Sequence, residues 1–367
     1  MASFQLPLLE PHRAALETCV YCPKLSRAAC PVSNAEGSET LTPWGKMSLV
    51  YFGARGDIPI DGAHAEPAWA CSACFGCRER CEHKNEVATV LNEARAEFFV
   101  RGAAPEGAKR VAGAWNEKSA ETEALSKALE RECGEGGGDI SLLVGCSYLR
   151  HAPAVARDAL IATEALTHQK AKLIHACCGL PLLYAGDRKG FVRAAQTFAQ
   201  AVSNTKRLIV VDPGCARTLL AEYPRLGIEF KNPQKIELFV DLAFSKLASL
   251  RSLPTLMEAP RYHDPCQLGR GLLRYQEPRA VIARITGHPP REFSRSKEAA
   301  DCSGAGGLLP QTRPESSKAI AEARIADHEA QGGGPLITAC AQSLKRFRSA
   351  GAKDVIDLAT LVRIACS

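Results

Sequence analysis

With 367 residues, 46% of them hydrophobic and 23% charged, the chain has the composition of an ordinary globular protein with room for two or three domains. Its formal charge is +6, but Lys and Arg are dispersed and no basic run is interleaved with aromatics, which argues against nucleic-acid binding. No stretch reaches the ~18 apolar residues of a membrane span, and Met1–Glu10 shows neither a basic leader nor a sustained apolar run, so no export signal is expected. The sixteen cysteines cluster in a long chain, which points to metal ligation in a reducing compartment and away from a disulfide framework.

Residues 1–101 carry seven of these cysteines. Cys19, Cys22 and Cys30-Pro31 form one set. The other is Cys71-Ser-Ala-Cys74-Phe-Gly-Cys77-Arg-Glu-Arg-Cys81, with thiolates at every third position and a fourth four residues on. A bacterial ferredoxin loop wraps a 4Fe–4S cube with this spacing, its last Cys serving the other cluster of a pair. Zinc is the main rival, although structural zinc sites usually draw their pairs from two separated knuckles. Trp44-Gly-Lys-Met47 reads as packing between the two loops, without chemistry of its own. Beyond Cys81, Val87, Val90, Leu91, Ala94 and Phe98 share one face of a helix predicted over 85–99, which Gly102 ends. That helix is expected to pack over the cluster pocket and shield it.

Residues 102–138 read as a connector, with a polar helical pattern through Glu132 and a break at Gly134-Glu-Gly-Gly-Gly138. Short apolar runs then alternate with helical stretches, at Ile140–Val144, Leu173–His175, Leu208–Val211 and Leu336–Thr338. This texture predicts α/β units around a mostly parallel sheet. A duplication runs through the same half. Cys146, Cys177-Cys178-Gly179 and Asp212-Pro-Gly-Cys215 are matched by Cys266, Cys302-Ser303-Gly304 and Cys340-Ala-Gln-Ser343. Cys302 follows Cys177 by 125 positions, as Cys340 follows Cys215, which argues for two related α/β halves packed face to face. In open α/β sheets ligands gather at the carboxyl ends of strands, where sequence-distant cysteines can converge. The expected domains are 1–101, the connector 102–138, 139–250 and 251–367.

Cys133 and Cys366 belong to no set and read as free thiols. Gly304-Ala-Gly-Gly307 lacks the Lys-Ser/Thr of a P-loop, and its glycines read as letting backbone amides approach cluster sulfurs or turn tightly. His175 and His263 lie beside the cysteine sets and read as structural histidines, with a hydrogen bond to sulfur or a proton relay as the alternative. Asp264-Pro265 reads as a turn presenting Cys266. No Gly-x-Gly-x-x-Gly follows a strand, so no flavin or nicotinamide site is expected in this chain. An organic substrate and its hydride acceptor would belong to a partner.

Through Cys71–Cys81, Cys177-Cys-Gly179, Tyr262-His-Asp-Pro-Cys-Gln-Leu-Gly-Arg270, Asp301-Cys-Ser-Gly-Ala-Gly-Gly307 and Ile337-Thr-Ala-Cys340, the chain resembles a known family. These are the heterodisulfide-reductase-like Fe–S oxidoreductases, whose relatives include the iron–sulfur subunits of glycolate oxidase and anaerobic glycerol-3-phosphate dehydrogenase. The resemblance runs from about residue 19 to 357. It implies an α+β / α/β chain in which a helical two-cluster ferredoxin-like domain precedes two duplicated α/β Cys-Cys-Gly domains. By the ferredoxin crossover, Cys30, Cys71, Cys74 and Cys77 would ligate one cluster. Cys19, Cys22 and Cys81 would hold the other, with Ser26 or solvent at the fourth iron. The first Cys-Cys-Gly half keeps Cys146, Cys177, Cys178 and Cys215, enough for a cubane, with Asp212 where the family's fifth cysteine would stand. The second keeps Cys266, Cys302 and Cys340, with Ser303 and Ser343 in place of thiols. Three thiolates can hold a cluster with one open iron, or that site is empty. Two to four 4Fe–4S clusters are thus implied. Each carries about −2 with its four thiolates, so three would bring the formal charge to about zero.

The implied role is an iron–sulfur electron-transfer subunit, cytoplasmic or peripheral on the inner face of the membrane. It would pass electrons between a flavoprotein dehydrogenase or oxidase subunit and a quinone, a disulfide or another carrier, a membrane-bound partner included. The alternatives are a disulfide or thiol reductase acting at the first Cys-Cys-Gly cluster, and a non-enzymatic redox sensor that has lost ligands. No catalytic residue, donor or acceptor is legible.

Overall fold

The computed structural model describes residues 3–230, 235–254 and 258–366. The chain forms two compact units. The first takes the chain up to Trp115 together with Pro181–Phe191 and Glu298–Arg324; the second takes Asn116–Leu180, Val192–Lys297 and the chain from Ile325 on.

The first unit is helical. In the Pro43–Arg55 helix, Pro43 fills the first turn, where its missing N–H costs nothing. The Thr42 hydroxyl caps that turn by accepting from the Gly45 amide at 3.1 Å. Leu6, Leu9, Leu16, Met47, Trp69, Leu91 and Phe98 build the core, each stabilising the fold by roughly 2–3 kcal/mol through burial. The helix predicted over 85–99 spans Val87–Val100, and Val87, Val90, Leu91, Ala94 and Phe98 are buried as the pattern requires. Asn92, Glu93, Arg95 and Glu97 are buried as well. The reason is that Pro181–Phe191 and Glu298–Arg324 supply partners for Glu93 and Arg95, while the Leu8 amide and Arg101 engage Glu97 and Arg95 engages Asn92. The fully buried Arg95 guanidinium donates to the carbonyls of Ala68 (3.0 Å), Cys71 (2.7 Å), Tyr184 (3.3 Å) and Gly307 (3.5 Å). Arg188 pairs with Glu93 on the same helix.

Glycine is required where Glu298–Arg324 meets the cysteine loop. A Cβ on Gly306 would lie 2.3 Å from the Ser72 carbonyl oxygen, and one on Gly307 would lie 2.1 Å from that of Cys71. At Gly306 and Gly307 the close approach is thus to the Cys71–Ser72 main chain and not to a sulfur, whereas the Gly304 amide does reach a sulfur, that of Cys302, at 3.3 Å.

The second unit holds two parallel sheets. Strands β1 (Ile140–Leu143), β2 (Lys172–Leu173), β3 (Arg207–Val210) and β4 (Lys235–Leu238) lie in the order β2-β1-β3-β4. Strands β5 (Arg261–Tyr262), β6 (Leu336–Thr338) and β7 (Val355–Asp357) lie in the order β5-β6-β7. The architecture is the expected mixture of helices and small parallel sheets. β1, β2, β3 and β6 fall on the apolar runs, whereas β4, β5 and β7 lie outside them because they are short and partly charged. The duplication is visible in the packing. The Pro153–Thr167 helix after β1 packs on the Leu358–Ala365 helix after β7, and the Phe239–Ser245 helix after β4 packs on the Gln276–Thr286 helix after β5. Each contact joins the opening helix of one copy to the closing helix of the other, as a pseudo-two-fold relation demands.

Asp357 ends β7, caps the next helix through the Ala359 amide (2.9 Å) and accepts from the Tyr148 hydroxyl (2.7 Å). Burial pushes its carboxyl up to about 7, against ~3.9 in an unfolded chain. Between those values the unfolded chain has lost the proton and the folded one has kept it. Stability from this group therefore falls as pH rises, by at most about 1.4 kcal/mol per pH unit, and the loss is complete above about pH 7. Asp357→Asn keeps the cap and cannot ionise. In thermal melts it is expected to gain about 2 kcal/mol on the wild type between pH 5 and pH 7, and a constant difference would refute the assignment.

Candidate metal centres

In the first unit the Cys71–Cys81 loop is tightly wound. Ala73 and Phe75 take left-handed conformations with φ of 52° and 59°, a strain that persists only where surrounding structure enforces it. The Ala73 amide donates to Cys71 Sγ at 3.4 Å. Burial, then the charges of Cys71, Cys74 and Cys30, holds the Cys77 thiol well above its ordinary range, so Cys30 joins the loop cysteines. Cys19, Cys22 and Cys81 form a separate group: burial pushes Cys19 up to about 12, and Cys22 and Cys81 add to it. Ser26 is half-buried beside this group in sequence, and its carbonyl accepts from the Ala29 amide.

Lys46, which the sequence does not single out, is buried against the Cys30 thiol. It is 2% exposed, and its ammonium donates to Cys30 Sγ at 3.2 Å and to the Ala70 carbonyl at 2.5 Å. Burial alone would lower its pKa, yet the neighbouring Cys30 and Cys71 outweigh it and hold the ammonium above its ordinary value. Within Trp44-Gly-Lys-Met47, Lys46 thus touches a cysteine of the first set directly. A lysine inside a helix ordinarily faces water, and one sequence does not mark the exception.

In the second unit, Cys146 follows β1, Cys177 and Cys178 follow β2, and Cys215 follows β3. Because β2 and β3 flank β1, the three segments meet at the switch point of the sheet, on the carboxyl ends of adjacent strands. Gly145, at φ 102°, lets the Cys146 loop come close: a Cβ there would lie 2.8 Å from Asp212 Cβ and 3.5 Å from Cys215 Sγ. Cys146 and Cys177 hydrogen-bond each other, and Cys178 donates to Cys215 at 3.5 Å. The Cys178 bond lowers the Cys215 thiol, but burial and Asp212 lift it to about 12. Asp212 caps the Pro213–Arg217 turn through the amides of Gly214 (2.9 Å) and Cys215 (3.2 Å), while its Oδ2 is buried without a hydrogen-bond partner. Burial pushes this carboxyl up to about 6.

The second copy divides differently. Cys266 and Cys340 lie in the second unit, where burial, then Asp212 and Cys266, raises the Cys340 thiol. Cys302 lies in the first unit; its thiol donates to Ser72 Oγ at 3.5 Å and accepts from the Gly304 amide at 3.3 Å. Ser303 and Ser343 are buried. The Asp264 turn before Cys266 is fixed by a bidentate bond from Arg279 (2.7 and 2.8 Å) and by the Lys297 amide (2.9 Å). His175 engages Ser126 Oγ and Glu130 Oε2, both at 2.9 Å, so both ring nitrogens have partners other than sulfur. The buried His263 ring packs edge-on against Phe347 at 4.8 Å. Cys133 and Cys366 are half-buried.

Thiols crowded out of water hold their protons because their anions would repel one another, and a bound cationic group relieves that repulsion. A single zinc ion draws its sulfurs to within about 3.8 Å of one another. Among the described residues no group of three or more His, Cys, Asp or Glu side chains is set for a single ion. A 4Fe–4S cube takes clustered buried thiolates on separate irons, which the donor sets supply in kind, although Cys178 and Cys215, 3.5 Å apart, must part to ligate different irons. The buried Lys46 ammonium beside Cys30 is of a piece with an anionic group at the first centre.

The model of the family described as 4Fe-4S dicluster domain matches residues 15–85, and that described as Cysteine-rich domain matches twice, at 140–220 and 261–343. The chain is 26% identical over 312 residues to a subunit of the fumarate reductase (CoM/CoB) of Methanothermobacter marburgensis, covering 83% of this chain and 62% of that protein. It is 24% identical over 384 residues to a subunit of the dihydromethanophenazine:CoB–CoM heterodisulfide reductase of Methanosarcina barkeri, covering 93% and 91%. An EtfAB:quinone oxidoreductase of Syntrophomonas wolfei is 31% identical over 134 residues, which are 36% of this chain and 18% of that one. The chain thus spans about three-fifths of the first of these relatives and nearly all of the second. A hypothetical protein from Helicobacter pylori has a similar fold, with a TM-score of 0.54 at 10% identity over 98% of this chain and 76% of that one. Among the described residues, no helix is long and apolar enough to cross a membrane.

Proposed function

Since the chain belongs to the heterodisulfide-reductase-like iron–sulfur proteins, in which a 4Fe–4S dicluster domain is joined to two cysteine-rich domains, we propose that it is the electron-transfer subunit of a redox complex. Its cofactors are 4Fe–4S clusters, which supply one-electron transfer when bound. In this reading Cys30, Cys71, Cys74 and Cys77 hold one cluster, Cys19, Cys22 and Cys81 a second, and Cys146, Cys177, Cys178 and Cys215 a third. Cys266, Cys302 and Cys340 are what the second copy retains. The partner is a flavoprotein dehydrogenase or oxidase subunit on one side and a quinone, a disulfide or another carrier on the other, reached from the cytoplasmic face of a membrane. The supporting observation is the convergence of buried thiols into separate groups in one chain that has no nucleotide fingerprint.

The protein's own part is to hold, enclose and bias these centres. Main-chain amides of the Cys71 loop and of Gly304 reach cysteine sulfurs, the Val87–Val100 helix excludes water, and the strand ends fix the third set. Disulfide reduction at the Cys177-Cys178 site is a second reading, favoured by the exposure of Cys146, which is half-buried where its three partners are buried. Anaerobically purified protein is expected to contain iron and acid-labile sulfide in equal amounts and to give 4Fe–4S signals by EPR after reduction. Colourless protein with neither element would sink the proposal.

A further inference from the structure

Two cations are buried beside Cys30, Cys71, Cys74 and Cys77, and among the described residues neither has a carboxylate partner. Lys46 bonds to Cys30 Sγ and a carbonyl. Arg95 bonds to four carbonyls and, at 3.4 Å, to Asn92 Oδ1. A charge taken out of water without a counter-ion is costly. The groups that favour their charged forms are mainly cysteines: Cys30, Cys71 and Cys77 on Lys46, and Cys71 together with Tyr184 on Arg95. Among the described residues no lysine or arginine donates to the sulfur of Cys19, Cys22 or Cys81 as Lys46 does to that of Cys30.

We infer that Lys46 and Arg95 set the reduction potential of the cluster held by Cys30, Cys71, Cys74 and Cys77, raising it above that of its dicluster neighbour. The inference rests on the reading that these four thiolates hold a 4Fe–4S cluster. Reduction adds one negative charge to the site, and a fixed cation in a dry, poorly screening interior favours the reduced form. Lys46 acts at the ligand sulfur itself. Arg95 acts one step back, through the Cys71 carbonyl, and also fixes the loop against Tyr184 and Gly307. Both are therefore positioning residues. The site held by Cys30, Cys71, Cys74 and Cys77 becomes the low-energy resting place for an electron within the dicluster domain.

The test is an EPR-monitored redox titration of the anaerobically prepared full chain and of Lys46→Met, Lys46→Gln, Arg95→Met and Arg95→Lys. Each variant that removes a charge is expected to make one dicluster signal harder to reduce. At a fixed potential its reduced-to-oxidised ratio should fall about tenfold, equivalent to 59 mV for a one-electron couple, while the other signal stays in place. Arg95→Lys, which keeps the charge, should keep the potential. Potentials that do not move, or that move equally for both signals, overturn the inference. So do charge-removing variants that lose this cluster's iron, because the two residues would then build the site without tuning it. A wild-type protein devoid of iron would instead overturn the functional reading beneath it.

Discussion

Replacing Cys178 with alanine is expected to cost between one and about four irons per chain, to alter or remove one EPR signal, and to leave the fold and the dicluster signals intact. Cys178 is 1% exposed, its sulfur is 3.5 Å from that of Cys215, and the Tyr223 hydroxyl holds its carbonyl at 3.0 Å. The thiol is thus positioned by the main chain. Cys146, Cys177 and Cys215 remain as three thiolates on a cube that loses its fourth protein ligand. The same variant separates the two functional readings. If the chain reduces a disulfide at this site, turnover should fall by on the order of a hundredfold or more; if it transfers electrons, the rate should fall by about tenfold while residual transfer survives. Cys133→Ala, at a thiol outside every set, serves as the control and should leave iron content unchanged.

Replacing Arg279 with methionine is expected to destabilise the second unit by ~3–5 kcal/mol. Its guanidinium is shared between Asp264, at 2.7 and 2.8 Å, and Glu292, at 2.6 and 2.7 Å. Asp264 is 3% exposed, so losing the cation leaves a carboxylate that water cannot reach, with the Lys297 amide as a weak substitute. Glu292 is partly exposed and loses far less. The melting temperature should fall by about 10 °C, at roughly 2–4 °C per kcal/mol for a domain of this size. Adding Asp264→Asn should recover much of that loss, because the two side chains act as a unit. A melt unchanged in Arg279→Met would show that the turn before Cys266 is held by other means.

What the sequence shows and what it hides follow one physical division. Cysteine spacing is legible because a thiolate cage needs several sulfurs at fixed offsets, and Cys71–Cys81 states that need outright. The duplication is legible because the 125-residue offset occurs twice. β6 is legible as a buried apolar run at Leu336–Thr338. β4 is hidden because Lys235 and Glu237 alternate with apolar neighbours over four residues, and β5 has only two. Lys46 and Arg95 are hidden for a different reason. A charged residue in a helix reads as solvent-facing unless something says what covers it, and what covers Arg95 comes from about 90 and 210 residues further along the chain. The same holds for His175, whose partners Ser126 and Glu130 stand in a stretch that reads as a polar connector.

The make-up of the first unit bears on how the protein can be synthesised. A nascent chain that has emerged as far as Trp115 already carries all seven N-terminal cysteines, but not the Tyr184 and Gly307 carbonyls that receive Arg95, nor the glycines that lie against Cys71 and Ser72. At ~5–20 residues per second, translation needs roughly 10–40 s more to reach Arg324. During that interval the thiols are present without their enclosure, open to oxidation and to stray metal ions. Iron–sulfur loading of this segment is accordingly a late event, coupled to completion of a chain three times as long as the segment itself. A fragment cut at Trp115 is then a poor substitute for the dicluster domain, whatever its cysteine spacing promises.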